Sequence, residues 1–192
     1  MKRYKLSLVL ATVLILFGIG AFIMYREGQA AIVTPYSNHA AATQKAAVPS
    51  GPSVVSGEPS ELIIPSLGID LQVTPGVYDA KTGKWTLTTD KVQYAVMTPQ
   101  PNNQGGNTFM YGHYRRGVFA TLHNIQPGST AVVKTANGKT FTYKLDHVNV
   151  VTPEDSAGIF NYQGKPILTI QTCTGVFFQN RQLFTFNLEG VS

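Results

Sequence analysis

From Ser60 onward the chain consists of short apolar or alternating runs bounded by turn-forming residues, and this pattern constrains the fold more than any other feature. The runs are rich in threonine and valine, which favours strands. Helical spacing occurs at 117–125, and a helical turn can begin at Pro153. Because a fold of alternating strands and helices needs several long helices, the pattern predicts an antiparallel barrel or sandwich. The predicted strands are 61–65, 69–74, 92–97, 107–113, 129–136, 139–151, 166–173 and 181–188.

A tight hairpin is predicted at Asn137-Gly138, which lies between two alternating runs. This dipeptide is a strong signal for a two-residue loop, and we expect a type I′ turn, in which both central residues have positive φ. The strands on either side are therefore expected to pair.

An uncharged apolar run, Leu6–Met24, lies near the N-terminus. As a helix it nearly spans the roughly 30 Å hydrocarbon core of a bilayer. Three basic residues precede it, so the positive-inside rule predicts a single-pass protein of the cell membrane with a cytoplasmic N-terminus and an extracellular remainder. A cleaved signal peptide is the alternative, with Gly28-Gln29-Ala30 as the cleavage site, but the run is long for a signal sequence. In both cases residues 30–192 are exported.

Three segments follow from this pattern. Residues 1–25 are predicted to be a basic end and a transmembrane anchor, 26–59 a flexible linker, and 60–192 a folded β domain. The linker is rich in Ala, Pro, Ser and Gly, and it has few charges and no apolar periodicity.

The net charge of +5 does not indicate nucleic-acid binding. Residues 60–192 hold ten Lys or Arg and eight Asp or Glu, a difference of +2, and the other +3 lies in the first 59 residues. Arg115-Arg116 is the only basic doublet in the predicted domain, so no basic stripe is available for phosphates. A single cysteine excludes a disulfide scaffold. The sequence contains neither HExxH nor CxxC, so no metal or other cofactor is expected.

Cys173 and Arg181 are predicted to be neighbours across a hairpin. Cys173 ends one strand and Arg181 begins the next, both on the more polar face. Directly opposed Cβ atoms in such a pair are about 4.5–5.5 Å apart. A guanidinium beside a thiol favours the thiolate, and it can donate to an oxyanion. For each residue alone, a small buried cysteine and a surface arginine are the simpler interpretations.

A cysteine nucleophile needs a proton acceptor and donor, and His113 is the best placed of the four histidines. It ends the strand 107–113 and precedes a loop, where a strand delivers a side chain to a site. His39 lies in the linker, His123 on the short helix, and His147 at the rim or in the core.

Thr169-Ile170-Gln171-Thr172-Cys173 resembles the TLxTC signature of sortases, with Ile in place of Leu. Gly112-His113 resembles the histidine segment that ends a central sortase strand, and Arg181 matches the arginine that opens the final strand. The segment 119–122, followed by Pro127-Gly128, resembles the helix and turn after that histidine. The resemblance covers the whole predicted domain.

The resemblance implies an eight-stranded sortase β-barrel with one or two short helices, and the activity of a cysteine transpeptidase. Such enzymes cut an LPXTG-like sorting signal between Thr and Gly, hold the Thr carbonyl as a thioester, and pass it to an amine on a cell-wall precursor or pilin. By position it assigns Cys173 as the nucleophile, His113 as the general acid and base, and Arg181 as the oxyanion or substrate contact. Thr172 is offered as a further oxyanion contact. The implied partners are surface proteins with this signal, the amine acceptor and, through the N-terminal helix, the membrane.

The sequence departs from known sortase patterns in two places, which bear on its physiological role and on calcium binding. Some pilin-building sortases carry an Asp-Pro-aromatic lid motif in the N-terminal region, and 26–60 has none, which favours wall anchoring. Some sortases bind calcium through acidic residues near the barrel loops, and 91–118 contains no Asp or Glu, so calcium dependence is not expected.

Other classes remain as alternatives. A pilin-polymerising sortase and a non-enzymatic, membrane-anchored binding module are both compatible with the pattern. A caspase-like protease is suggested by Gln171–Gly175 and by His123 fifty residues before Cys173. That fold needs helices alternating with strands, and this chain lacks them.

Overall fold

The computed structural model describes residues 53–192. The predicted anchor, Leu6–Met24, and the predicted linker up to residue 52 lie outside the described residues. Within the described range, no helix is long and apolar enough to cross a membrane. The strands are β1 (Pro59–Ile64), β2 (Ile69–Gly76), β3 (Tyr78–Asp79), β4 (Lys84–Trp85), β5 (Val92–Ala95), β6 (Asn107–Tyr111), β7 (Thr130–Thr135), β8 (Thr140–Val151), β9 (Ile167–Thr174) and β10 (Asn180–Val191). Three 3₁₀ segments are present at Pro65–Leu67, Leu122–Asn124 and Glu154–Asn161.

Eight of these strands close into one barrel, in the order β1-β2-β5-β6-β9-β10-β8-β7. Antiparallel pairing of β1 with β7 closes it. The two short strands β3 and β4 form a separate hairpin. The prediction of a mainly β, eight-stranded barrel with short helices is therefore confirmed for the described residues.

Two ladders of the barrel are parallel, so the prediction of an antiparallel barrel or sandwich is wrong for these two strand pairs. β2 pairs with β5, and β6 pairs with β9, in parallel register. A parallel pair needs a connection that returns the chain to the same end of the sheet. Residues 77–91, which contain the β3–β4 hairpin, supply the first return. Residues 112–166, which contain β7 and β8, supply the second.

The β7–β8 hairpin forms where Asn137-Gly138 predicts it, but its turn is not type I′. Of the turn residues only Gly138 has positive φ, at 79°. The Gly138 amide donates to the Thr135 carbonyl (3.0 Å), and the Thr135 amide donates to the Lys139 carbonyl (2.9 Å). A type I turn followed by a left-handed glycine gives this longer hairpin loop. The Thr135 hydroxyl donates to Asn137 Oδ1 (2.6 Å), and this hydrogen bond stabilises the hairpin loop.

The helix predicted at 117–125 is instead a series of turns that ends in the 3₁₀ segment at Leu122. Its hydrogen bonds from Leu122 onward join residues three apart, as in Leu122 to Phe119 (3.1 Å). Gly117 has a φ of 82°, which a right-handed helix does not contain. The apolar spacing still predicts correctly which side chains face the core, because Val118 and Leu122 are both buried.

The barrel interior is closed and apolar. Alternate residues of each strand point inward, as the sequence pattern predicts. On β9, Leu168 and Ile170 are fully buried, and on β10 so are Phe184 and Phe186. The inner core also contains Leu62, Ile64, Val92, Met110, Leu122, Ala131, Val133, Phe141 and Tyr143.

A second apolar cluster lies on the outer face of β5 and β6. Its buried members are Ala95, Phe109 and Tyr111. Trp85 from the β3–β4 hairpin and Phe160 from the segment Glu154–Asn161 pack against them. That segment confirms the helical turn predicted after Pro153. The hairpin and the segment thus form two walls that rise from the barrel surface.

The folded part extends N-terminally of Ser60. Val55 packs against the inner core, and the Gly57 amide donates to the Pro101 carbonyl (3.2 Å). Ser56 forms a β-bridge with Asn102. These contacts attach the end of the predicted linker to the barrel.

Candidate active site

Cys173 and Arg181 are register partners on adjacent antiparallel strands. Arg181 near the start of β10 pairs with Cys173 near the end of β9, as the sequence predicts. Both side chains are half-buried. Strand alternation separates Cys173 from its inward neighbour Thr172, so the thiol lies on the outer face at one end of the barrel.

His113 reaches the same place from the other side of β9. The last parallel pair of β6 and β9 joins Tyr111 to Gln171, and the Gly112 amide continues it by donating to the Gln171 carbonyl (3.1 Å). The same register, continued for two residues, puts His113 next to Cys173, and both residues line one groove. Neighbouring strands are about 4.8 Å apart, so His113 and Arg181 flank Cys173 on its two sides.

Thr172 ties these strand ends together. Its side chain is 2% exposed, and its hydroxyl donates to the Gly112 carbonyl (3.0 Å). This bond fixes the backbone directly before His113. The oxyanion contact offered for Thr172 would require the hydroxyl to leave that carbonyl, and it stays a prediction.

Gly112 allows the loop after His113 to pack closely. A Cβ atom at position 112 would lie 2.9 Å from the ring of Phe119 and 3.1 Å from Val118. The His113 carbonyl accepts hydrogen bonds from the amides of Arg115 (3.0 Å) and Phe119 (3.2 Å). A side chain at Gly112 would push this turn, and with it His113, away from β9.

A largely apolar groove leads along the outer face of β6 to these three residues. Its more polar end is formed by Gly112, His113, Gln171, Thr172, Cys173 and Arg181, and its other lining residues are Trp85, Leu87, Phe109, Tyr111 and Phe160. Concave, mostly apolar sites with a few converging polar groups are the usual form of a ligand-binding site. The groove is therefore the candidate active site.

Aromatic contacts join the two walls of the groove. The rings of Trp85 and Phe160 are stacked with centroids 5.8 Å apart, and Trp85 meets Tyr111 edge-on at 5.2 Å. The Tyr111 hydroxyl donates to the Thr86 carbonyl (2.8 Å) and so secures the hairpin. Burial raises the pKa of Tyr111 to about 12, so this donor stays protonated even at pH values where an ordinary tyrosine ionises.

The β9–β10 loop orients Arg181. Nη1 of Arg181 donates to the carbonyls of Phe178 and Asn180, each at 3.1 Å. Phe178 has a φ of 57°, a left-handed conformation that is uncommon for a phenylalanine. Its ring meets that of Tyr114 with centroids 6.0 Å apart. The loop carrying Arg181 therefore contacts the loop that follows His113.

The other histidines within the described residues lie outside the groove. His123 is exposed, with Nδ1 2.6 Å from the Ala120 carbonyl. His147 is exposed on β8, with Nδ1 2.7 Å from Asp146 Oδ2, so the alternative of a core position for it is wrong. His39 lies outside the described residues.

Sequence reasoning missed the walls of the groove. β3 and β4 are two residues long, too short to show a period, and Phe160 lies in a 3₁₀ segment. The available signals were the single tryptophan, Trp85, and the aromatic alternation of Phe109 and Tyr111 on a strand whose other face is also apolar. Within 53–192 no group of three or more His, Cys, Asp or Glu side chains is arranged to hold a metal ion.

Fold and site together define a class: a closed β-barrel with a cysteine-centred groove on its outer surface, flanked by histidine and arginine. The family model described as "Sortase domain" matches residues 62–186. The chain therefore belongs to the sortase family, which confirms the resemblance seen in the sequence.

Solved structures of sortases share the fold at low sequence identity. Sortase A from Corynebacterium diphtheriae is 20% identical with a TM-score of 0.59, over 71% of this chain and 62% of that chain. Sortase E1 from Streptomyces coelicolor, solved with a tripeptide in the active site, is 22% identical with a TM-score of 0.58, over 70% and 90%. Group B Streptococcus Pilus Island 1 sortase C2 is 22% identical with a TM-score of 0.55, over 68% and 73%. No curated protein sequence matched the chain.

Proposed function

We propose that this sortase is a cysteine transpeptidase that cleaves an LPXTG-like sorting signal and transfers the surface protein to a cell-wall amine. One observation carries the proposal: Cys173 lies between His113 and Arg181 at the end of an apolar groove. A nucleophile, a proton carrier and a fixed cation on one carbonyl are what acyl transfer needs.

In the proposed first step, Cys173 Sγ attacks the carbonyl carbon of the signal's Thr residue. Arg181 donates to the oxygen on which negative charge develops. His113 in its protonated form gives a proton to the leaving Gly nitrogen as the C–N bond breaks. The product is a thioester between Cys173 and the surface protein, together with the released C-terminal peptide.

In the proposed second step, an amine attacks the thioester carbonyl. His113, now neutral, takes a proton from the amine, and the C–S bond breaks to return the thiolate. A new amide joins the surface protein to the acceptor. This sequence uses no cofactor, and we propose that the enzyme does not depend on calcium.

The groove supports the proposed substrate class. The groove leading to Cys173 presents the apolar side chains of Trp85, Leu87 and Phe160, and the nearly buried rings of Phe109 and Tyr111 also line it. The Pro and Leu of an LPXTG-like signal are the third and fourth residues before the scissile bond, so an extended signal would lay them on this surface. Arg181 and the polar backbone at the groove end would receive the Thr and its carbonyl.

The test is peptide cleavage and transfer by the full chain with an LPXTG-like peptide and a panel of amines. We expect a mass increase at Cys173 that corresponds to the acyl fragment, followed by transfer to the amine. Cys173→Ala should lose both while its unfolding temperature stays unchanged. Turnover by Cys173→Ala near the wild-type rate would refute the mechanism, and a thiol inert to acylation would favour the binding module.

The same panel separates wall anchoring from pilin polymerisation. A short peptide that carries the amine of a cell-wall precursor and a lysine-bearing pilin domain are offered in competition. We propose wall anchoring, because the N-terminal segment lacks the lid motif of some pilin-building sortases. We also propose a membrane anchor at Leu6–Met24 and an extracellular domain, because this apolar run follows three basic residues. Preference for the pilin lysine would reverse the assignment to wall anchoring.

A further inference from the structure

The tip of the β9–β10 loop carries three consecutive apolar side chains that point into solvent. Val176 is 84% exposed, Phe177 87% and Phe178 53%. Exposing adjacent large apolar residues is costly in water, and a contiguous apolar patch marks an interaction surface. None of the three lines the groove beside Cys173, so substrate contact in the groove does not account for them.

Hydrogen bonds fix the backbone conformation of the tip. The Phe178 amide donates to the Gly175 carbonyl (3.1 Å), and the Phe177 amide donates to Gln179 Oε1 (3.0 Å). Gly175 has a φ of 93°. These bonds close a turn that presents Val176 and Phe177 outward, since their side chains make no contact that would bury them.

Two arginines adjoin the apolar tip. The Phe178 ring contacts Tyr114, and the next two residues, Arg115 and Arg116, are exposed. Neither arginine forms an ion pair with any described residue. The segments 91–118 and 174–188 contain no Asp or Glu. Asp70 lines a surface depression together with Arg116 but forms no ion pair with it. This face of the barrel therefore combines an apolar projection with two arginines that form no ion pair.

We propose that the tip at 176–178, with Arg115 and Arg116, docks on a bilayer that contains anionic phospholipid. Phenylalanine and valine enter the boundary between head groups and acyl chains, while arginines bind the phosphates. The pairing of an apolar tip with basic residues that form no ion pair fits a lipid surface better than a protein partner, because a bilayer offers an acyl boundary and phosphates side by side. Docking would hold the end of the groove that carries Cys173 at the membrane surface. This contact is separate from the anchor proposed at Leu6–Met24.

The experiment measures the depth of single tryptophans in the full chain reconstituted into vesicles. The natural tryptophan is replaced by Trp85→Phe, and a new one is placed by Phe177→Trp. The matched control is Met97→Trp in the same background, because Met97 is an exposed apolar residue (62%) that follows β5 at the opposite end of the barrel. Vesicles contain phosphatidylglycerol with brominated acyl chains, which quench tryptophan only on contact, or brominated phosphatidylcholine.

We expect quenching of the tryptophan at 177 and not of the one at 97, and stronger quenching with phosphatidylglycerol. Each basic residue near an anionic surface contributes about fivefold to membrane affinity. Arg115→Gln combined with Arg116→Gln should therefore weaken insertion about 30-fold, seen as a higher phosphatidylglycerol fraction at half-maximal quenching.

Three outcomes would overturn the proposal. The first is no quenching at 177 at any lipid composition. The second is equal quenching at 177 and 97, which would mean that the membrane does not prefer the loop tip to the opposite end of the barrel. The third is a blue shift at 177 that rises with protein concentration and is insensitive to bromine, which would identify a second copy of the chain as the occupant.

Discussion

The two faces of strand β6 carry similar apolar residues but put them to different uses. Met110 points into the barrel and is fully buried in a core closed on all sides. Its neighbours Phe109 and Tyr111 point outward into a cluster that borders the groove. The inner cluster is sealed by the eight-stranded barrel itself. The outer cluster is covered only by the β3–β4 hairpin and the segment Glu154–Asn161, and it stays open at the end where Cys173 lies.

This difference separates stability from function within one sheet. A closed core gains free energy from every buried side chain, and a truncation there leaves a cavity. A half-open cluster gains less from its own burial, and it keeps apolar surface available for a ligand. Substitutions inside the barrel should therefore lower stability with little effect on the chemistry of the folded molecules. Substitutions of residues that a ligand in the groove can contact should lower activity with little effect on stability.

The largest expected effect is on catalysis at the groove end. His113→Ala should lower kcat/KM by about 10²–10⁴, because both proton transfers of the proposed reaction use this group. The unfolding temperature should stay within error of the wild type. His123→Ala is the matched control, since His123 is exposed and its only described hydrogen bond is to the Ala120 carbonyl. An essential His123 and a dispensable His113 would show that the groove end is not the reactive site.

Inside the barrel, Phe184→Ala should lower the free energy of unfolding by about 3–5 kcal/mol, because it opens a cavity in a fully enclosed site. Phe177→Ala is the matched control of the same chemistry. It removes a ring that is 87% exposed, so its effect should stay within about 0.5 kcal/mol. Denaturant unfolding measures both, and active-site titration gives kcat per folded molecule. Equal costs for the two variants would show that enclosure inside the barrel does not set the cost of losing a phenylalanine ring.

Arg181 tests whether the groove end needs fixed geometry as well as charge. Loss of one oxyanion donor costs about 10²–10³ in rate, so Arg181→Ala should slow acylation by at least that factor while peptide affinity falls less. Arg181→Lys keeps the charge but loses the planar guanidinium, whose Nη1 donates to the Phe178 and Asn180 carbonyls. It should recover only part of the rate. Full acylation by the lysine variant would show that a point charge suffices.

The smallest expected effect concerns the groove wall. Trp85→Ala removes the ring stacked on Phe160. Because the proposed substrate packs on this ring, the loss of one aromatic contact of about 0.5–1.5 kcal/mol should weaken substrate binding about two- to tenfold. KM should rise by about that factor with kcat nearly constant, because the wall binds the ground state and transition state alike. Trp85→Phe should retain most of the affinity. A fall in kcat with unchanged KM would move Trp85 from the binding surface to the chemistry.

The sequence by itself determined the features that depend on neighbours along the chain. Strand alternation is a local property, so the eight barrel strands and the inward placement of Leu168, Ile170, Phe184 and Phe186 could be predicted. The pairing of Cys173 with Arg181 was predictable for the same reason, because a short hairpin fixes its own register.

Only the tertiary structure decided how segments that are distant in the sequence pair and pack against one another. Periodicity does not specify which strands pair, so the parallel ladders of β2 with β5 and of β6 with β9 were missed. The second of these ladders is what sets His113 beside Cys173, with Thr172 bonded to Gly112 across sixty residues. The groove walls were missed because strands of two residues and a 3₁₀ segment have no period to read. Their position depends on the free energy of covering Phe109 and Tyr111, which exists only once the barrel has brought those side chains to its outer face.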